Sequence, residues 1–282
     1  MADGVYYRPS FRLVNLGVVK TSEGVVLVDT PMLPSLAQEW RREVEEQVGP
    51  IRYILNTDHL ADHVLGNLFL PGDIIAHDGT HDKMRMTPKA KEQLRRHVRQ
   101  HDPVGAELLA EFEPRYPNLM LYDRMTMYLG DRELEFIHLP GHTANNVGLF
   151  LPDVRVLFAG DTVVNRYRPY LGLSDIPDWI TTLQAIKVME VELIVPGRGE
   201  PLTPDQLDPL IDYLGVMQER VRQLMDEGRA RDEVVSKMMA YFEEWPVDSS
   251  RRDEERNLYR QGIRRIYDRL AATRERPAKE RR

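Results

Sequence analysis

The sequence predicts a layered α/β fold, and three observations carry that prediction. Between residues 11 and 77, apolar runs and one amphipathic segment alternate in the order strand, helix, strand. Further strand-like runs separated by turn signals follow between about residues 119 and 164. From about residue 204 the texture changes to a helical period.

Each element has its own reading. "FRLVNLGVVKTSEGVVLVDTPM" reads as two strands about a turn at Ser22-Glu23-Gly24. "SLAQEWRREVEEQVG" reads as a helix, with Ser35 as N-cap and Gly49 as stop. "IRYILNT" and "DIIAH" are short apolar strands. Residues 83–113 are charged and helical, an insertion over the core. "LMLYDRMTMYLGDRELEFIHLPGHT" returns to strands with a turn at Gly130-Asp131, and "VGLFLPDVRVLFAGDTVV" adds two more. "DWITTLQAIKVMEV" is a helix, and "ELIVPGRGE" a strand entering a glycine turn.

Leu210, Leu214, Met217, Val221 and Leu224 then recur at spacings of four and three, one apolar helix face. It reads as core packing, with a homodimer seam as the alternative. Two more helices follow, so residues 206–270 read as helices packed on the domain of residues 1–205. The charged, proline-containing end, 271–282, reads as a disordered tail.

Composition narrows the function. Charged residues make up 29% and apolar residues 42%, as in a globular chain. The net charge, 38 − 45 = −7, disfavours nucleic acid and anionic membranes as partners. No cysteine is present, which removes disulfides, thiolate ligands and a cysteine nucleophile. No signal peptide is visible and no run reaches the roughly 18 apolar residues of a membrane span, so a cytoplasmic protein is expected. No G-x-S-x-G occurs, so a serine triad lacks support.

The chemistry sits in four pieces: "VVLVDT" with Asp29, "NTDHLADHVLGN", "LPGHTANNVGLFLPDVRVLFAGDTV" with His142 and Asp161, and "IVPGRGEP" with Arg198. Their order and spacing over roughly residues 5–205 resemble the metallo-β-lactamase superfamily. The resemblance implies a four-layer αββα sandwich with its site at one edge between the sheets. It also implies one or two metal ions held by an H-x-H-x-D-H loop, a later histidine, a bridging aspartate and a final histidine.

Carried over by position, Asp62, His63, His142 and Asp161 match that ligand set. Asp58, Leu60 and Arg198 stand where histidines are expected. Asp29 matches a buried aspartate that braces the metal loop. Leucine donates nothing to a metal, and arginine stays protonated. One histidine with two carboxylates remains for either site: Asp58, His142 and Asp161, or Asp62, His63 and Asp161. That set suits manganese, iron or magnesium better than zinc. The expectation is therefore one divalent ion (Mn, Fe or Zn) or none, and no dinuclear zinc centre, with Arg198 as the replacement cation.

The resulting reading is a hydrolase of a small ester, thioester, lactone or amide, with Asp62, His63 and His142 as catalytic residues. The alternatives are a binding protein on the same scaffold and a metal-free enzyme using the histidine–aspartate cluster. Arg166 and Arg168, interleaved with Tyr167 and Tyr170, are the candidate contacts for an anionic small-molecule substrate. His59 and His138 read as structural, and His77, His81, His97 and His101 show no ligand spacing with the motifs.

Overall fold

Period-two alternation splits each strand between two environments, and this builds the layers. The computed structural model describes residues 2–247 and 249–275. The first sheet runs β1 (Val5–Pro9), β2 (Asn15–Thr21), β3 (Gly24–Val28), β4 (Ile51–Leu55), β5 (Asp73–His77), β6 (Leu119–Leu121) in spatial order. Its β3 to β6 are parallel, and β1 to β3 antiparallel. The second sheet contains β7 (Arg124–Leu129), β8 (Arg132–His138), β9 (Val147–Leu151), β10 (Val156–Val164) and β11 (Leu193–Arg198). Their spatial order is β11-β10-β9-β8-β7, with only the β10–β11 pair parallel.

Val26, Val28, Leu55 and Ile75 of the first sheet meet Leu134, Phe136, Leu149 and Phe158 of the second in one core. The intervening side chains face outward. Val25, Leu27, Ile54 and Ile74 pack under Trp40 and Val44 of helix α1 (Pro34–Gln47). On the far side, Leu157 and Ala159 pack with Trp179, Leu183 and Ile186 of a helix at Ile176–Lys187. The expected αββα sandwich is thus present.

Two local expectations are corrected and one strand is added. Helix α1 begins at Pro34, whose missing N–H is tolerated in the first turn, and its cap residue is Leu33 rather than Ser35. Ser35 instead donates its N–H and hydroxyl to Asp102 at 2.9 and 2.8 Å. Strand β1 adds to the expected set: it is a short edge strand ending in proline, held by register against β2. The charged tail starts later than residue 271, because the last helix continues through Glu275; the expected disorder of residues 276–282 lies outside the described residues.

Two short helices, α2 (Ala61–Val64) and α3 (Thr80–Lys83), lead toward the segment 83–113, which holds α4 (Pro88–His101). Val98 of α4 packs with Leu33, Leu65 and Leu109 in a small separate core. Numbering the helix at Ile176–Lys187 as α5, the C-terminal helices are α6 (Asp208–Asp226), α7 (Arg231–Met238) and α8 (Arg252–Glu275). The α6 stripe from Leu210 to Val221 is buried in the same core as α5 and the outer face of β10. Among the described residues no helix is long and apolar enough to cross a membrane.

Candidate functional site

Parallel strands of both sheets end at one edge, which is where open α/β sheets place ligands. Asp29 follows β3, Asp58 follows β4, and Arg198 ends β11. Register shifts in β10 between Phe158 and Val164 turn Asp161 into the same edge. Two glycines allow the close approach: a Cβ at Gly197 would fall 2.2 Å from Asp161 Oδ1, and one at Gly160, where φ is +53°, 2.5 Å from Thr57 Oγ1.

Asp29 is a non-glycine residue in the left-handed region, with φ 60°. Its carboxylate accepts from Thr57 N (2.8 Å) and Thr57 Oγ1 (2.6 Å) and pairs with His63 Nδ1 (2.8 Å). The opposite ring nitrogen, His63 Nε2, faces Asp161 Oδ2 at 3.4 Å. Arg198 completes the chain. Its Nη2 donates to Asp62 (2.6 Å) and lies 2.9 Å from Asp161, its Nε donates to Asp161 (3.0 Å), and its Nη1 donates to the Arg12 carbonyl (3.1 Å).

Charges therefore alternate from Asp29 through His63, Asp161 and Arg198 to Asp62. Burial alone would lower the His63 pKa, but Asp29 and Asp161 hold it well above the usual imidazole value, which favours the protonated ring. Burial would raise Asp161, yet Arg198 and His63 keep it well below the ordinary carboxylate range. Asp62 is lowered the same way: Arg198 and His63 outweigh its burial. Arg198, which burial would lower, is raised further by Asp161 and Asp62.

Asp58 lies elsewhere than a metal ligand would. Its Oδ2 pairs with His142 Nδ1 (3.0 Å) and accepts from Asn146 Nδ2 (2.8 Å) and Thr143 Oγ1 (3.3 Å). Its Oδ1 accepts from His59 N (2.5 Å), with His59 Nδ1 3.0 Å away. Burial opposes its charge, but the hydrogen bonds from His142 and His59 hold it well below the usual range. An aspartate is shorter than a histidine, so at this position it reaches the back of His142 and braces it. The front nitrogen, His142 Nε2, is buried, has no hydrogen-bond partner among the described residues, and lies 3.9 Å from Asp161.

The remaining donors do not fit the family's metals. Asp58 and His142 Nε2 lie on opposite sides of one imidazole, so they do not share an ion. Arg198 occupies both carboxylates of the second set, Asp62 and Asp161. Leu60 offers nothing. Among the described residues no group of three or more His, Asp or Glu side chains is arranged to hold a metal ion.

A cavity of about 260 Å3 opens above this floor. Its lining includes Asp62, Asp161 and Arg198 of the sheet edge, taken as its base, with Leu60, Tyr170, and Leu258 and Tyr259 of α8. The two arginines expected to contact an anion sit differently, and Arg168 Nη1 is buried with no hydrogen-bond partner among the described residues. Arg166 is exposed, with φ 54°, and does not line the cavity. Arg168 borders the cavity but is buried. It donates to the carbonyls of Phe242 (2.6 Å) and Trp245 (3.1 Å), pairs with Glu255 (3.4 Å) and lies 4.5 Å over the Phe242 ring. It anchors the C-terminal helices. Two arginines that the sequence reading missed, Arg12 and Arg251, line the cavity instead. No local motif marks either one, since they come from the two ends of the chain. His138 Nε2 donates to the Ala144 carbonyl (2.9 Å), and its ring centre lies 4.2 Å from that of His77, tilted by 30°, away from the cavity lining.

Residues 9–198 match the Metallo-beta-lactamase superfamily. The chain belongs to that superfamily. Among curated superfamily relatives, it is 30% identical over 103 residues to "Beta-lactamase-like protein 2 homolog" of Caenorhabditis elegans, covering 36% of this chain and 34% of that protein. It is 34% identical over 89 residues to "Acyl-coenzyme A thioesterase MBLAC2" of Homo sapiens, covering 31% and 30%. The matched segments thus span about a third of these relatives. A metallo-beta-lactamase family protein from Thermus thermophilus superposes with a TM-score of 0.69 at 19% identity, over 96% of this chain and 95% of that one. At that identity the likeness shows the fold, including the C-terminal region.

Proposed function

We propose that this chain hydrolyses a small ester or thioester with protein groups in place of a metal pair. One observation carries the reading: Asp58 braces Nδ1 of His142, and the opposite nitrogen, buried without a hydrogen-bond partner among the described residues, lies behind the cavity lining, 3.9 Å from Asp161. A carboxylate on Nδ1 fixes the tautomer whose Nε2 accepts a proton. In the reaction, water oxygen attacks the carbonyl carbon as Nε2 takes its proton. The C–O or C–S bond then breaks, and the leaving group takes the proton back. Arg198, paired with Asp62 and Asp161, fixes those two carboxylates in the cavity lining. The thioesterase name of the human relative supports the substrate class.

The test is hydrolysis of p-nitrophenyl acetate and acetyl-coenzyme A by protein dialysed against a chelator. Turnover is expected to persist, and to fall roughly 10²- to 10⁴-fold in His142→Ala. Activity that vanishes with chelator and returns with zinc would refute it. A second reading, binding without turnover, rests on the near-complete burial of His142, which is 1% exposed. Absence of turnover with and without added metal selects that reading.

A further inference from the structure

The cations around the cavity are unevenly matched. Arg198 at the base faces two carboxylates, Asp62 and Asp161. Arg168 has Glu255. Arg12 and Arg251 share one carboxylate: Arg12 Nη2 lies 2.5 Å from Glu254 Oε1, and Arg251 Nε lies 3.2 Å from Glu254 Oε2. These two arginines are also more open than the base, with side chains 20% and 21% exposed against 11% for Arg198. Positive charge is therefore in excess at the mouth, while the base is locally neutral or negative. Burial beside the two arginines costs Glu254 its hydration, yet Arg251 and Arg12 still hold its pKa below the usual carboxylate value.

Backbone geometry shows that the mouth is built. Arg12 and Leu13 are consecutive non-glycine residues with φ 61° and 59°, a region that non-glycine residues rarely adopt. That turn directs the Arg12 side chain to the mouth while its carbonyl caps Arg198. Tyr167 links mouth to base: its hydroxyl bonds Arg251, and Arg198 lies 5.7 Å over its ring. One phenol ring thus separates the two cationic positions.

We infer that Arg12 and Arg251 form an anion clamp in which Glu254 is the resident competitor, and that the substrate is an ester or thioester carrying a carboxylate or phosphate a short spacer from the reacting carbonyl. The volume agrees: 260 Å3, at roughly 30 Å3 per water-sized group, holds about nine such groups. Planar guanidiniums match either anion through paired N–H donors. That the bound anion is a substrate rests on the hydrolase reading; that it binds does not.

The test is calorimetric titration of the full chain with butyrate, butyramide and inorganic phosphate at constant ionic strength. Butyrate or phosphate is expected to bind at least about tenfold more tightly than neutral butyramide, and the stronger of the two names the anion. Arg251→Gln should weaken the anion about tenfold while leaving butyramide unchanged. Arg251→Lys, which keeps the charge, should retain part of the affinity and guards against a folding defect. Glu254→Gln should tighten binding by about tenfold, an effect that a merely structural Glu254 would not produce. Equal binding of butyrate, phosphate and butyramide, or weaker anion binding in Glu254→Gln, overturns the clamp. Anion binding without ester turnover keeps the clamp and removes only the hydrolase reading.

Discussion

Two carboxylate–imidazole pairs stand at the same sheet edge, and they differ at the far nitrogen. Asp29 holds His63 at 2.8 Å, and Asp58 holds His142 at 3.0 Å, each through Nδ1. His63 Nε2 then meets Asp161 and the Arg198 guanidinium, so its ring is consumed by an ion network. His142 Nε2 has no hydrogen-bond partner among the described residues, with Asp161 at 3.9 Å. The same local brace therefore leaves one ring bonded at both nitrogens and the other with its far nitrogen unbonded. What decides between them is whether a guanidinium sits across the ring.

Removing that guanidinium should have the largest effect on the comparison. Arg198→Met leaves Asp62 and Asp161 without their cation, and breaking such a buried pair costs about 3–5 kcal/mol. Urea denaturation should show that loss. A change below about 1 kcal/mol, the scale of an exposed pair, would mean that the network is not holding the edge together.

His142→Ala should act in the opposite sense. Turnover is expected to fall by roughly 10²- to 10⁴-fold, while stability falls less than in Arg198→Met, because Asp58 keeps Asn146 and Thr143 as donors. If His63→Ala cost the activity and His142→Ala only the stability, the two roles would have to be exchanged.

Thr57→Val probes the brace itself. The hydroxyl donates to Asp29 Oδ2 at 2.6 Å, and losing a hydrogen bond to a charged group costs about 1.5–3 kcal/mol. Thermal unfolding should report it. An unchanged melting temperature would show that Asp29 is held without Thr57.

The smallest effect is in pH. The folded pKa of His63 is raised, so its contribution to stability is complete below about 6.5 and is lost as pH rises through the higher folded value. Asp58 is lowered, so its contribution is present above about 3.8 and is lost as pH falls through the depressed value. The alkaline decline of the melting temperature should flatten in His63→Asn while the acid limb remains. Loss of both limbs together would show that the two pairs titrate as one cluster.

Much of this is legible in the chain. The strand–helix alternation, the stripe from Leu210 to Val221 and the four motif pieces place the layers and the edge, because period and order survive in sequence. The pairing of Arg198 with Asp62 is also legible, since an arginine at a position facing carboxylates has few other partners. The role of Asp58 is not. Residue type says that aspartate donates lone pairs, but not which side of His142 it reaches. Arg168 misleads for a similar reason: its partners, Phe242, Trp245 and Glu255, lie more than seventy residues away. Arg12 and Arg251 carry no local pattern at all.

By itself the sequence determined which groups are chemically able to act: no thiol, no third or fourth ligand imidazole in the motif, and a permanent cation at position 198. Those are properties of side-chain composition and hold in any conformation. Only the tertiary structure decided which nitrogen of each histidine is spent and which is left. That depends on distances of about 3 Å between residues such as Asp58 and His142, eighty-four positions apart, and on the turn at Arg12 and helix α8 closing over one cavity. Hydrogen bonding is lost within an ångström or so of its optimum, so it is set by the packed sheets and not by any local run of residues.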